Sequence, residues 1–258
     1  MGEKLFKLLI IRHGQGFHNL GIYGRNDLEF TEDETLKTMN SSLTPQGFKQ
    51  ARLVSERLQN IKFDLAIASD LKRAKQTAEA VVELNDSLNY FEEWKIVRER
   101  CVGDFEGREE IDAALITVEN AVVDRNYLTW RPPNGESVVD LRERIKHFLK
   151  KLHLRVMLLP VEVPTILVVS HGAFMRELYY ILSEAKSAHV VFHQGPKNFQ
   201  NYPKYHNTGL TQYLFRSVKL EDGSCVIKDV HCEILSCAFH LKNEDCTYQC
   251  CMGGCCEN

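Results

Sequence analysis

Three short apolar runs, Leu8–Ile11, Leu65–Ala68 and Ile166–Val169, each end in a polar turn. Their length and unbroken apolarity are those of strands buried on both faces. Between them, apolar residues recur at steps of three and four. Phe48, Ala51, Val54 and Leu58 mark one helix, with Thr44 as N-cap and Pro45 at the first helical position. Leu71, Ala74, Ala78 and Val81 mark a second over about residues 71–84. Val138, Leu141, Ile145, Phe148 and Leu152 mark a third, opened by the capping spacing of Ser137 and Asp140. A further helix runs from Ala173 to about Leu182, and residues 108–127 carry a weaker helical pattern. Late strands are expected at Leu210–Phe215, Val226–Val230 and Cys232–Leu235. Residues 20–43 and 185–209 read as loops; the first carries Glu29, Glu32, Asp33 and Glu34 and suits a lid.

Strands alternating with helices predict an α/β fold, a three-layer α/β/α sandwich with a mixed, mostly parallel sheet. The pattern forms one domain over residues 1–241, followed by a polar, cysteine-rich tail over 242–258 that is expected to be mobile.

Composition narrows the function classes. With 44% hydrophobic and 26% charged residues, apolar burial is sufficient to offset chain entropy, which excludes a mainly disordered chain. The formal net charge of −3 argues against nucleic acid as a partner. No apolar run spans a bilayer, and the start is too polar for a signal peptide, so the expected location is cytoplasmic. Gly2 lacks the Ser or Thr at position 6 that myristoylation requires, since Phe6 stands there. Of nine cysteines, Cys101 stands alone and eight lie between Cys225 and Cys256. Reduced thiols are the default without a secretory signal. The terminal cluster ending in Cys255 and Cys256 suits lipidation and contact with a membrane; zinc capture or a free reduced tail are the alternatives.

Candidate chemistry sits at strand ends. The first run leads into Arg12-His13-Gly14 and the third into Ser170-His171-Gly172. Ligands of open α/β sheets bind beyond the carboxyl ends of strands. Helix-start N–H groups there attract anions, and each glycine lets a ligand approach the backbone. Arg73 follows the second run. Two arginines and two histidines in one place suit a phosphoryl group and would repel a metal ion. A neutral imidazole can attack phosphorus, and guanidinium groups stabilise the charge in transit. The leaving alkoxide needs a proton, for which Glu99, in the glycine-punctuated segment 97–107, is the candidate. Lys186, His189, His193, Lys197, Lys204 and His206, interleaved with aromatic residues, form either a solvated loop or a second anion subsite.

Five ordered motifs now resemble one family. They are Arg12-His13-Gly14 with Asn19, the segment Ser69–Ala78, Arg98-Glu99-Arg100 with Gly103 and Glu106-Gly107, Pro133–Ser137, and Ser170-His171-Gly172. Together they resemble the histidine phosphatase superfamily, in its phosphoglycerate mutase-like branch, over roughly residues 5–235. The resemblance implies a mutase-like α/β/α fold and no metal or organic cofactor. It implies His13 as phosphorylated nucleophile, Glu99 as proton donor and acceptor, and Arg12, Arg73 and His171 as phosphoryl-binding partners. Asn19, Arg100, Gly172, Asn207 and Thr208 would bind substrate. The segments 47–51, 71–77, 168–176 and 207–209 are most similar to TIGAR-type fructose-2,6-bisphosphatases. Mutases carry a long insertion after the acid motif, whereas here 27 residues separate Gly107 from Gly135. The resemblance therefore implies a phosphatase acting on a small phosphorylated metabolite, fructose 2,6-bisphosphate first. The alternatives are a broad bisphosphoglycerate or sugar-phosphate phosphatase, a phosphoprotein phosphatase, or a silent relative that binds partners. Two features depart from the pattern: Gln15 replaces the common Glu, and the loop 20–43 is long and acidic.

Overall fold

The computed structural model describes residues 2–20, 40–106, 126–184, 189–192, 205–221 and 225–241. Seven strands and five helices are defined among them. In chain order they are β1 (Gly2–Arg12), α1 (Pro45–Leu58), β2 (Leu65–Ala68), α2 (Lys72–Leu84), β3 (Glu92–Glu93), α3 (Asn126–Thr129) and α4 (Val138–Met157), then β4 (Thr165–Ser170), α5 (Gly172–Glu184), β5 (His189–Phe192), β6 (Leu210–Lys219) and β7 (Cys225–Cys237). The sheet order is β3-β2-β4-β1-β6-β7-β5. Only β6 runs against its neighbours; the β1–β4, β2–β4, β2–β3 and β5–β7 pairs are parallel.

The apolar runs explain the layers. Successive side chains on a strand point to opposite faces. Leu8 and Ile10, Leu65 and Ile67, and Ile166 and Val168 enter one core with Leu141, Ile145 and Phe148 of α4 and Phe174 and Leu178 of α5. Leu9 and Ile11, Ala66 and Ala68, and Leu167 and Val169 enter the other with Val54 and Leu58 of α1 and Ala74, Ala78 and Val81 of α2. A strand must be apolar throughout when both faces are covered, and that is what these runs encode.

The helix starts follow their caps. The Thr44 hydroxyl accepts from Gly47 N at 3.0 Å. Ser137 and Asp140 form a reciprocal capping box at the start of α4. Phe48, expected on the core side of α1, is 49% exposed instead. The buried stripe runs through Gly47, Gln50, Ala51, Val54 and Leu58, because α1 packs its glycine, not its phenylalanine, against the neighbouring loop.

Two late elements differ from the sequence pattern. The two short strands expected around residues 226–235 are one strand, β7, whose pairing with β6 absorbs register shifts. Within the expected loop 185–209, His189–Phe192 pairs in parallel with β7 as an edge strand. Four residues carry too short a pattern to announce a strand. The helical pattern at 108–125, most of the acidic loop, Lys186, Lys197, Lys204 and the cysteine tail lie outside the described residues. Packing reaches Leu241, which is buried in the turn Phe239–Leu241. Among the described residues, no helix is long and apolar enough to cross a membrane.

Candidate active site

Strand register assembles the site. Arg12 at the end of β1 pairs with Ser170 at the end of β4, so His13 and His171 leave the sheet side by side. The His13 N–H donates to the Ser170 carbonyl at 3.0 Å. β2 pairs with the other edge of β4, and Ser69 N donates to Val169 O at 3.0 Å. The chain then turns into α2, whose first turn carries Arg73. Three parallel strand ends thus deliver His13, His171 and Arg73 to one point. The imidazole centroids of His13 and His171 are 5.0 Å apart.

The tautomer of His13 follows from its partners. Nδ1 lies 2.6 Å from the Gly14 carbonyl oxygen, which can only accept, so Nδ1 carries the proton. Nε2 is left with its lone pair, and Arg73 Nε donates to it at 3.3 Å. Burial, and then the Arg73 guanidinium, hold the His13 pKa well below 6.5, so the ring is neutral at physiological pH. An unprotonated, cation-facing Nε2 is what a nucleophile toward phosphorus requires. Arg73 is itself buried, and desolvation pushes it down to about 10, which leaves it charged.

His171 is fully buried, and neither ring nitrogen has a hydrogen-bond partner among the described residues. A buried polar group in that state needs a partner from outside the chain, a water or a ligand. Burial and Arg73 also keep it neutral. Arg12 NH1 donates to the Tyr205 carbonyl at 2.8 Å, which ties its guanidinium to the segment before β6. A Cβ on Gly172 would stand 3.5 Å from Arg12 Nε, so Gly172 lines that guanidinium.

Glu99 reaches the same place from the other direction. Its Oε1 accepts from Arg100 N and from Ala173 N, each at 3.0 Å, and Oε2 lies 3.3 Å from Ala173 N. The helix start expected to bind substrate phosphate is therefore occupied by the protein's own carboxylate. The turn bearing Glu99 is held by Arg144, which donates to the carbonyls of Ile96, Arg98 and Glu99 at 2.9, 2.8 and 3.1 Å. Glu136 accepts from Arg144 at both oxygens, each at 2.8 Å. Arg98 forks onto Asp70 in the β2–α2 turn.

The remaining predicted residues separate by role. Asn19 Oδ1 accepts from Gly16 N at 2.9 Å and from Asn207 Nδ2 at 3.4 Å. Asn207 Nδ2 also donates to the His13 carbonyl at 3.1 Å. Thr208 contributes its backbone: its N–H donates to the carbonyls of Arg12 and His13 at 3.0 and 3.3 Å. Its hydroxyl is used by Asn207 O and His240, so it is a loop anchor and not a substrate group. Arg100 is buried with Nε donating to the Glu136 carbonyl at 2.8 Å, which directs it to the 133–137 turn. Gly14 does not serve a ligand's approach. A Cβ there would lie 2.5 Å from Gly47 O, and one on Gly47 would lie 2.0 Å from Gln15 O, so the glycines let α1 press on the His13 loop. Gln15 stays within that contact: its Oε1 accepts from the Thr44 hydroxyl at 2.8 Å.

His18 was not singled out in the sequence. Its ring centroid is 5.3 Å from that of His13, its Nδ1 is 2.7 Å from Ser41 Oγ, and burial, Arg73 and Arg12 lower its pKa well below 6.5. The only signal was its position beside Asn19 in the first motif. Among the described residues, no group of three or more His, Cys, Asp or Glu could hold a metal ion.

The chain is similar to proteins that are named for phosphoryl chemistry. A fructose-2,6-bisphosphatase TIGAR of Xenopus tropicalis is 26% identical over 287 residues, covering 92% of this chain and 95% of the relative. A 2,3-bisphosphoglycerate-dependent phosphoglycerate mutase of Bartonella bacilliformis is 29% identical over 192 residues, covering 72% and 86%. The solved structure of a mycobacterial glucosyl-3-phosphoglycerate phosphatase superposes with a TM-score of 0.64 at 22% identity, covering 90% of this chain and 99% of that one. The family model for branch 1 of the histidine phosphatase superfamily matches residues 8–199, and the chain belongs to that superfamily.

Proposed function

We propose that the chain is a phosphomonoesterase that hydrolyses a small phosphorylated metabolite, foremost fructose 2,6-bisphosphate, through a phosphohistidine on His13. The observation that carries the chemistry is the His13 ring, with Nδ1 bonded to Gly14 O and Nε2 turned to Arg73. Nε2 attacks phosphorus as the bond to the sugar oxygen breaks. Arg12, Arg73 and His171 take the equatorial oxygens, where charge accumulates. Glu99 delivers its proton to the departing alkoxide, and Oε2, with the longer backbone contact, is the oxygen free to carry it. Glu99 then takes a proton from water. The resulting hydroxide attacks the phosphohistidine, the N–P bond breaks, and phosphate leaves.

The substrate assignment rests on other features. The frog relative named as a fructose-2,6-bisphosphatase aligns over nearly its full length, and only 27 residues separate Gly107 from Gly135. The test is phosphate release, with EDTA present, from fructose 2,6-bisphosphate, 2,3-bisphosphoglycerate, phosphoenolpyruvate and a phosphopeptide, by the native chain and His13→Ala. The expected result is a preference for fructose 2,6-bisphosphate that His13→Ala abolishes. A preference for 2,3-bisphosphoglycerate would overturn the substrate while keeping the mechanism. Inactivity of the native chain on all four would overturn both.

A further inference from the structure

A histidine remote from the pocket is wired to it by a hydrogen-bond chain whose direction can be read at every link. His240 lies in the turn Phe239–Leu241, after the last strand of the sheet. Arg57, near the end of α1, places NH1 3.3 Å from His240 Nδ1. A guanidinium only donates, so Nδ1 accepts and Nε2 carries the proton. Nε2 lies 2.9 Å from Thr208 Oγ1 and donates to it. The Thr208 hydroxyl in turn donates to Asn207 O at 2.7 Å. Burial, and then Arg57, push the His240 pKa down to about 3, so the ring is neutral near pH 7 and its partners set the tautomer.

The link ends at a strained residue. Thr208 has φ +56, in the left-handed region that a β-branched side chain disfavours. Such a conformation persists only where the surroundings enforce it. It is the conformation in which the Thr208 N–H meets the carbonyls of Arg12 and His13. The neighbouring Asn207 side chain holds the His13 carbonyl as well. Arg57 is fastened too, with NH1 3.3 Å from Cys237 O.

We infer that His240 is a positioning residue: together with Arg57 it locks Thr208 in its left-handed turn and thereby holds the His13 loop in register with Arg73. Its effect on turnover rests on the phosphatase reading above; its effect on the His13 loop does not. His240 touches neither substrate nor reacting atoms. It acts through the backbone of residues 207–208.

The test is a double-mutant cycle with Thr208→Gly, because glycine adopts a positive φ without strain and needs no anchor. His240→Leu in the native background is expected to lower kcat about tenfold with KM within about twofold, since small misplacements of a nucleophile cost rate. In the Thr208→Gly background the same substitution is expected to cost less than about twofold. A merely structural role predicts equal losses in both backgrounds, and that result would overturn the proposal. His240→Asn, which keeps an acceptor and a donor, is the second variant and is expected to restore part of the rate. Should His240→Leu not fold, cycling His240→Asn decides the same question. The imidazole 15N resonances of His13 are followed in all four proteins. They are expected to move with His240→Leu only while Thr208 is present. If the native chain proves inactive, the phosphatase reading fails, and these resonances alone test the positioning; equal movement in both backgrounds would overturn it.

Discussion

Arg73 Nε and the Gly14 carbonyl grip opposite ends of the His13 ring, at 3.3 and 2.6 Å. One contact sets the tautomer and the other turns a cation toward the unprotonated ring nitrogen. The Thr77 hydroxyl couples them: it donates to Arg73 O at 2.7 Å and accepts from Gly14 N at 3.1 Å. The His13 loop and Arg73 are thus fastened to the same turn of α2.

Arg73→Lys keeps a positive charge but loses the planar donor that faces Nε2. It is expected to lower kcat about 100-fold, the usual cost of a lost transition-state donor. The measurement is steady-state hydrolysis of the preferred substrate. A loss confined to KM would show that Arg73 binds the ground state only.

Glu99→Gln removes the proposed acid group and keeps a carbonyl acceptor for Arg100 N and Ala173 N. It is expected to cost about 100-fold or more in kcat for a sugar phosphate, with the unfolding midpoint nearly unchanged. p-Nitrophenyl phosphate, whose leaving group needs no proton, is expected to retain its phosphorylation burst. Equal burst losses for both substrates would remove Glu99 from the acid role.

His18→Phe keeps the ring and deletes its nitrogens. If His18 donates to the bound phosphoryl group beside His13, inhibition by inorganic phosphate weakens about tenfold, the value of a hydrogen bond to a charged group. An unchanged inhibition constant would leave His18 as packing against Ser41.

Arg144→Met leaves Glu136 buried beside Cys101 N without its guanidinium. Breaking a buried pair this way costs about 3–5 kcal/mol. Urea unfolding is expected to show that loss, and Glu136→Gln added to Arg144→Met is expected to return part of it. If the single variant stays within about 1 kcal/mol of the native chain, the pair is not buried in solution as it is here.

Acid is expected to unfold the protein through its histidines. Burial depresses His13, His18 and His171 well below 6.5, and His240 to about 3. Below about pH 6.5 the unfolded chain takes up protons that the folded chain refuses, so stability is complete above that pH and declines beneath it. For His240 the decline extends down to about pH 3. Thermal unfolding midpoints from about pH 8 to about pH 5 are expected to be flat and then fall. A midpoint constant to pH 5 would contradict the burial of these rings.

The sequence by itself determined the sandwich and singled out the residues that meet at the strand ends. Leu8–Ile11, Leu65–Ala68 and Ile166–Val169 are apolar at every position because both their faces are covered, and that pattern is complete within four residues. Thr44 and Ser137 announce helix starts because a cap bonds only two or three residues ahead. His13, His171, Arg73 and Glu99 are legible because each sits in a short motif at a strand end or turn. Only the tertiary structure decided the rest. β5 depends on β7 for its pairing, and Phe48 lost the core to Gly47 because of a loop some 30 residues away. His18 became part of the pocket by folding beside His13. Thr208 became an anchor when its hydroxyl met His240, which Arg57 holds across 183 residues of chain. Local periodicity and capping are written over a few neighbouring residues, whereas such contacts exist only once strand register has brought distant segments together.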